Sequence, residues 1–192
     1  SPTLLQGPTT YLDWDQDGHL DRVCFSYDSN SERYHGIWYA GTTANFTPVD
    51  TFYSSDQPLL APQVRDVDQD GQLDLIVYET SRNHPTFARP LVFSIRNGSS
   101  PDLKATIPHL MEPGSARWLD VNLDGQLDMT FVGGDGLVIY RGGQPDSFSY
   151  TLFQQLLPPG IKVEEISWAD MDQDGDPDFV VSSVDSTNQI AL

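Results

Sequence analysis

Four stretches of this chain share one spelling: "DWDQDGHLD" at Asp13–Asp21, "DVDQDGQLD" at Asp66–Asp74, "DVNLDGQLD" at Asp120–Asp128 and "DMDQDGDPD" at Asp170–Asp178. Their starts are 53, 54 and 50 residues apart. A period near fifty residues means a repeat architecture with one supersecondary unit per repeat. The repeats fall at approximately 9–61, 62–114, 115–164 and 165–192, within a single domain spanning 1–192.

The flanks repeat as well. An apolar residue stands two places before each motif (Tyr11, Val64, Trp118, Trp168) and another at its second position (Trp14, Val67, Val121, Met171). After each motif comes an apolar, β-branched or aromatic run, such as Val23-Cys24-Phe25 or Leu75–Tyr78. A third segment follows, "GIWYAG" from Gly36, "PLVFSI" from Pro90, "GLVIYRG" from Gly136 and "QIAL" from Gln189, and a fourth begins near Phe46, Leu103 and Phe148. Such short β-prone runs, bounded by Gly, Pro, Asn or Ser, read as strands. "TLFQQLL" from Thr151 hints at a helix and fits a strand equally well. The predicted fold class is therefore all-β, a β-propeller of about four four-stranded blades. The fourth repeat reaches Leu192 within its third strand. Either the N-terminal "SPTLLQGPTT" supplies the missing strand and closes a four-bladed disc, or the chain is part of a larger propeller.

The spelling of the motif is that of a cation loop. Calcium takes six to eight oxygen ligands, and side chains at alternate positions of a short loop converge on one point. Positions 1, 3 and 5 supply Asp13, Asp15 and Asp17; Asp66, Asp68 and Asp70; Asp120, Asn122 and Asp124; and Asp170, Asp172 and Asp174. Position 7 supplies a backbone carbonyl, from His19, Gln72, Gln126 and Asp176, and position 9 a last carboxylate, from Asp21, Asp74, Asp128 and Asp178. Glycine holds position 6 in every copy, where a positive φ lets the backbone wrap an ion. Without a cation, each pair of carboxylates at 4 Å repels by about 4 kcal/mol at an effective dielectric near 20. Fifteen carboxylates occupy ligand positions, and about four calcium ions would bring the formal charge from −18 to −10.

An EF-hand begins with the same letters but needs a bidentate Glu at position 12. That position holds Cys24, Val77, Phe131 and Val181, and the flanks lack helical periodicity. The four nonapeptides with their "DLIVYE"-like strands instead resemble the FG-GAP/VCBS-type calcium repeat found in the integrin α-chain propeller. That resemblance implies a β-propeller with calcium in inter-strand loops, usually extracellular, acting in adhesion, ligand binding or scaffolding. Three departures stand out: Asn122 at position 3, Asp176 with Pro177 in the fourth loop, and no evident Phe-Gly/Gly-Ala-Pro signature.

Composition narrows the partners. With 28 acidic against 10 basic residues, nucleic acid and anionic membranes are excluded as direct partners. No window of about 18 apolar residues exists, so no transmembrane helix is expected. The single Cys24 precludes an internal disulfide and reads as a small buried thiol. Asn45 and Asn97 head glycosylation sequons. The opening residues carry no signal-peptide pattern, and the expectation is a mature form or an excerpt. His19, at a loop carbonyl position, His35 and His84, in polar loops, and His109 match no nucleophile or metal-protease pattern. Glu164 and Glu165 are neighbours and point to opposite faces of a strand. No enzyme is expected. Trp14, Trp38, Trp118 and Trp168 read as packing residues ahead of sugar-stacking ones. The expected role is a calcium-stabilised extracellular recognition, adhesion or scaffolding module with a protein or glycan ligand. A lectin, a self-assembling subunit of a fibre or surface coat, and an accessory domain of a secreted enzyme or toxin are the alternatives.

Overall fold

A computed structural model describes residues 5–81, 84–96, 98–108, 110–133, 136–142, 151–156, 162–184 and 190–191. Among these residues there are fifteen strands and no helix, so no helix is long and apolar enough to cross a membrane. The strands form four antiparallel meanders, each in chain order. Sheet 1 holds β1 (Leu5–Leu12), β2 (Asp21–Asp28), β3 (Arg33–Gly41) and β4 (Phe46–Ser55). Sheet 2 holds β5 (Leu59–Arg65), β6 (Asp74–Ser81), β7 (His84–Ser94) and β8 (Asp102–Thr106). Sheet 3 holds β9 (Arg117–Leu119), β10 (Asp128–Gly133), β11 (Gly136–Arg141) and β12 (Thr151–Leu156), and sheet 4 holds β13 (Lys162–Ala169), β14 (Asp178–Val184) and β15 (Ile190–Ala191).

Each acidic nonapeptide joins the first strand of its sheet to the second, as its sequence predicts. The closing pair is the same in all four: Leu12 opposite Asp21, Arg65 opposite Asp74, Leu119 opposite Asp128 and Ala169 opposite Asp178. Because the side-chain period of a strand is two, this common register sends the same positions of each following strand to the same face.

Of the readings open to "TLFQQL", the strand holds: it is β12, paired with β11. Two expectations need correction. His35 lies inside β3 and not in a loop; its Nδ1 and Ser54 Oγ are 2.7 Å apart. The described part of the N-terminal stretch pairs Leu5 with Tyr27 and Thr10 with Val23, so it forms the first strand of its own sheet and not a fourth strand of sheet 4. The physical reason is proximity, since a nearby partner strand closes a far shorter loop than one at the opposite end of the chain. The side chains of His84, Glu164 and Glu165 lie outside the described residues, as do His109 and Asn97.

Two compact units divide the chain: Ser1–Asp66 with Gly71–Gly114, and Val67–Asp70 with Ser115–Leu192. The first unit contains sheets 1 and 2 packed around one apolar cluster. Val23, Phe25, Trp38, Leu75, Val77, Leu91 and Phe93 lie at its centre, all at most 4% exposed. Trp14, the second residue of the first loop, stacks on Trp38 with centroids 5.5 Å apart and donates from Nε1 to Ser99 O at 2.9 Å. Phe52 on β4 meets Phe25 and Phe93 edge-on at 6.2 and 5.4 Å, joining the two sheets. Such edge-to-face pairs contribute about 0.5–1.5 kcal/mol each beyond area burial. Strand β6 is buried along nearly its whole length, which explains why its sequence runs apolar without alternation. In the second unit, Met129, Phe131, Leu137 and Tyr140 are buried on β10 and β11, and Trp168 lies against Phe179 at 5.3 Å. Cys24 is a buried free thiol, and burial pushes its pKa up.

One polar group ties the sheets of the first unit together. Glu79 on β6 is 4% exposed and accepts from Tyr53 Oη at 3.1 Å and Ser55 Oγ at 2.6 Å, both on β4. It also accepts from Arg89 Nε at 2.7 Å and from Arg89 Nη2. A buried carboxylate is tolerated only when paired and hydrogen-bonded in this way. Burial, and then the neighbouring Glu79 charge, push the Tyr53 phenol from 10.0 up to about 12. A phenol whose folded pKa is raised contributes stability that is intact below its unfolded pKa and fades as pH rises through the folded one. In a spectrophotometric titration, one tyrosine is expected to ionise near pH 12 in the folded protein, and Glu79→Gln is expected to bring that step down.

Candidate metal centre

The four loops have one backbone conformation. Position 6 is a left-handed glycine throughout, with φ of 87° at Gly18, 86° at Gly71, 85° at Gly125 and 97° at Gly175. Position 4 is left-handed too, at Gln16 (59°), Gln69 (58°), Leu123 (57°) and Gln173 (65°). Side chains of these types adopt that region only when their surroundings impose it. This second reversal was not legible in the sequence, because Gln and Leu carry no preference for it.

The hydrogen bonds repeat with the same regularity. The position 6 amide donates to Oδ2 of the position 1 aspartate: Gly18 to Asp13 at 3.1 Å, Gly71 to Asp66 at 3.0 Å, Gly125 to Asp120 at 2.7 Å and Gly175 to Asp170 at 3.1 Å. The position 5 amide donates to Oδ1 at position 3: Asp17 to Asp15, Asp70 to Asp68, Asp124 to Asn122 and Asp174 to Asp172, at 3.2–3.3 Å. The position 7 amides of His19, Gln126 and Asp176 donate to Asp17, Asp124 and Asp174. The bonds two residues apart are Asx turns in series, and together with the longer position 6 to position 1 bond they fix the loop's side-chain oxygens.

Where those oxygens converge differs between loops. One carboxylate oxygen from each of Asp13, Asp15 and Asp17 lies within 4.8 Å of the others, and the same holds within the loop of Asp66, Asp68 and Asp70. In the fourth loop the converging set is Asp170, Asp172 and Asp178. In the third, Asn122 Nδ2 donates to Asp124 Oδ2 at 2.9 Å, so two ligand positions are bonded to one another. Oδ1 of Asp13 and Oδ1 of Asp66, the same atom in two loops, are shut off from solvent and accept no hydrogen bond. Burial, and then repulsion from Asp21, Asp17 and Asp13, raise the pKa of Asp15. Hard oxygens, crowded negative charge and an orphaned inward acceptor fit a divalent cation such as calcium.

The position 9 aspartates have another task besides. Asp21 is fully buried; its Oδ2 accepts from Trp14 N at 2.9 Å and its Oδ1 from Gly41 N at 2.7 Å. Asp128, 1% exposed, accepts from Val121 N at 3.0 Å and Gly142 N at 2.8 Å. Asp178 accepts from Met171 N at 2.9 Å. The carboxylate thus clasps the start of the loop to the end of the third strand. Gly41 and Gly142 permit this because a Cβ there would stand 1.9 Å from Leu20 O and 2.3 Å from Leu127 O. Both glycines close the sequence runs "GIWYAG" and "GLVIYRG", where the signal was visible but reads as an ordinary turn. Burial raises the pKa of Asp128, against the lowering effect of the Gly142 and Val121 amides.

His19 places Nδ1 3.2 Å from Asp17 Oδ1, at the exposed rim of its loop. Trp14, Trp38 and Trp118 are buried, so indole faces are spent on packing. Asn45 is exposed in the turn between β3 and β4, where its carbonyl accepts from Thr42 N at 2.9 Å.

Sheets of one design, each with the same acidic connector after its first strand, define a β-sheet repeat protein with one candidate cation loop per repeat. The chain belongs to the FG-GAP-like repeat family, whose sequence model matches residues 13–77 and 120–181. Each match starts at position 1 of one loop and ends in the strand that follows the next. The biofilm matrix protein Bap1 of V. cholerae is similar in structure at a TM-score of 0.43 with 14% sequence identity, over 100% of this chain and 31% of that one. The present chain thus spans about a third of that chain's length. No curated protein matches the chain.

Clasp and ligand roles separate experimentally. Asp21→Ala leaves two backbone amides without a buried acceptor and is expected to lower stability by about 2–4 kcal/mol even in excess EDTA. Asp17→Ala, at an exposed position, is expected to lower it by less than half as much under the same conditions. Urea denaturation of both variants without metal checks the difference.

Proposed function

We propose that this chain is a calcium-stabilised module for extracellular recognition or scaffolding, with no catalytic role of its own. The observation that carries the reading is the fourfold recurrence of one loop geometry, with orphaned carboxylate oxygens aimed inward in two copies. The residues that would hold calcium are Asp13, Asp15, Asp17 and Asp21; Asp66, Asp68, Asp70 and Asp74; Asp120, Asn122, Asp124 and Asp128; and Asp170, Asp172, Asp174 and Asp178, with backbone carbonyls at position 7. Bound calcium supplies charge neutralisation. The chain's own residues do the rest: the Asx turns preset the carboxylates, and the position 9 clasp transmits loop order to the strands.

Family membership and the acidic loops support an extracellular setting, where calcium is abundant, and support reading the four sheets as propeller blades. The partner is a protein or glycan, and the exposed Asn45 is available for glycosylation. The third loop is the weakest of the four, because Asn122 carries no charge and bonds to Asp124.

A ligand that binds only the folded state adds about 2.7 kcal/mol per site at a hundredfold excess over Kd. Excess calcium is therefore expected to raise the thermal midpoint well above that in EDTA, and equal midpoints would overturn the reading. Calorimetric titration is expected to show one site fewer in Asp17→Ala and in Asp70→Ala. Asn122→Asp is expected to tighten the weakest site.

A further inference from the structure

The first loop differs from the other three in what stands at its second position. Trp14 fills it, where Val67, Val121 and Met171 fill the others, so the first loop alone carries a side-chain donor there. Trp14 is 1% exposed and lies between two ligand positions, Asp13 and Asp15. Its amide donates to Asp21, at position 9, and its indole Nε1 donates to Ser99 O, each at 2.9 Å. Ser99 belongs to the connection from β7 to β8 in sheet 2, 85 residues along the chain. There its own amide donates to Arg96 O at 2.8 Å and closes a turn. Gly98 in that turn has a φ of 68°, and a Cβ on it would stand 3.3 Å from Cβ of Asp15. Beyond it, Ser100 Oγ donates to Asp50 on β4. A turn of sheet 2 is thus seated on positions 2 and 3 of the first loop and tied to β4 of sheet 1.

Trp14 connects the two at both of its ends. An ion that draws Asp13, Asp15 and Asp21 together fixes both chain neighbours of Trp14 and the acceptor of its amide. The indole is held by its stack on Trp38, so order in the loop passes with little slack to the bond on Ser99. Unseating the turn strands a buried N–H donor, which is costly. We propose that calcium in the first loop also orders the β7–β8 turn, so that this one ion latches sheet 1 to sheet 2 through Trp14. The loops with Val67, Val121 and Met171 lack the donor for such a latch. The inference rests on the calcium reading of the loops and adds a second element that the ion controls. Coupling of this kind is reciprocal: the factor by which calcium favours the seated turn is the factor by which the seated turn favours calcium. One neutral hydrogen bond sets its ceiling at about tenfold.

Hydrogen-exchange mass spectrometry on the full chain, in calcium chloride and again in EDTA, reads the loop and the turn in separate peptides, 13–21 and 98–103. Calcium is expected to slow exchange in both, by about three- to tenfold in the turn. Asp17→Ala removes a ligand of the first loop and is expected to abolish the slowing in 98–103. Trp14→Phe keeps an aromatic ring against Trp38 and removes the donor; it is expected to retain the slowing in 13–21 and lose it in 98–103. Gly98→Ala sets a Cβ against Asp15 and stays informative if Trp14→Phe fails to fold. By reciprocity it is expected to raise the calcium concentration that half-protects 13–21 by about threefold or more. Calcium protection of the wild-type loop without the turn would overturn the latch and leave the cation reading standing. Turn protection that survives Asp17→Ala or Trp14→Phe, or an unchanged half-protecting concentration in Gly98→Ala, would overturn it as well. A loop that exchanges alike with and without calcium would sink the cation reading, and the latch with it.

Discussion

A carboxylate buried at the junction of loop and strand governs the repeat. Asp21 and Asp128 are withdrawn from water, a cost that is met because each oxygen accepts a backbone amide, one from the loop's second residue and one from the end of the third strand. This single side chain closes the loop, sets the start of β2 or β10, and pins the third strand beside them. Its conditions explain neighbouring choices. In the first loop the second residue, Trp14, donates its amide to Asp21 and buries its indole in the core. In sheets 1 and 3 a glycine, Gly41 or Gly142, closes the third strand because the loop carbonyl passes where a Cβ would stand.

The rest of the loop works against electrostatics. Asx turns hold three or four acidic groups on one side of a nine-residue arc, and the raised pKa of Asp15, from burial and then from its acidic neighbours, registers the strain. A divalent cation turns that repulsion into attraction, so affinity for the ion and order of the loop are the same free energy seen from two sides. The four loops are variations on this balance: three converge carboxylates, and the third relieves its charge with an internal amide contact.

Within the first unit, aromatic packing and the hydrogen bonds of Tyr53 and Ser55 to Glu79 join sheets 1 and 2. Phe52 provides apolar continuity, and Glu79 provides direction, since its four hydrogen bonds are satisfied only with β4 and β7 in one relative placement. A polar network of this kind specifies geometry more than it adds stability.

The repeat, the all-β class, the strand-to-strand position of the loops and the glycine at position 6 were legible because each rests on local rules: spacing, alternation of two, and glycine where φ is positive. The position 4 reversal at Gln16 and its counterparts escaped, since the residue types are indifferent to it and only the closed loop imposes it. The second role of Asp21 and Asp128 escaped because Gly41 is 20 and Gly142 is 14 residues farther along the chain. Glu79 and Arg89 carry no motif at all; they face one another across β6 and β7 of one sheet, and Tyr53 and Ser55 reach Glu79 from the other. Sequence alone determined what repeats and where the charges gather, as those follow from neighbours along the chain. Tertiary structure decided which carboxylates turn inward, which are clasps, and which distant turn sits on the first loop, because those depend on atoms brought together from distant strands.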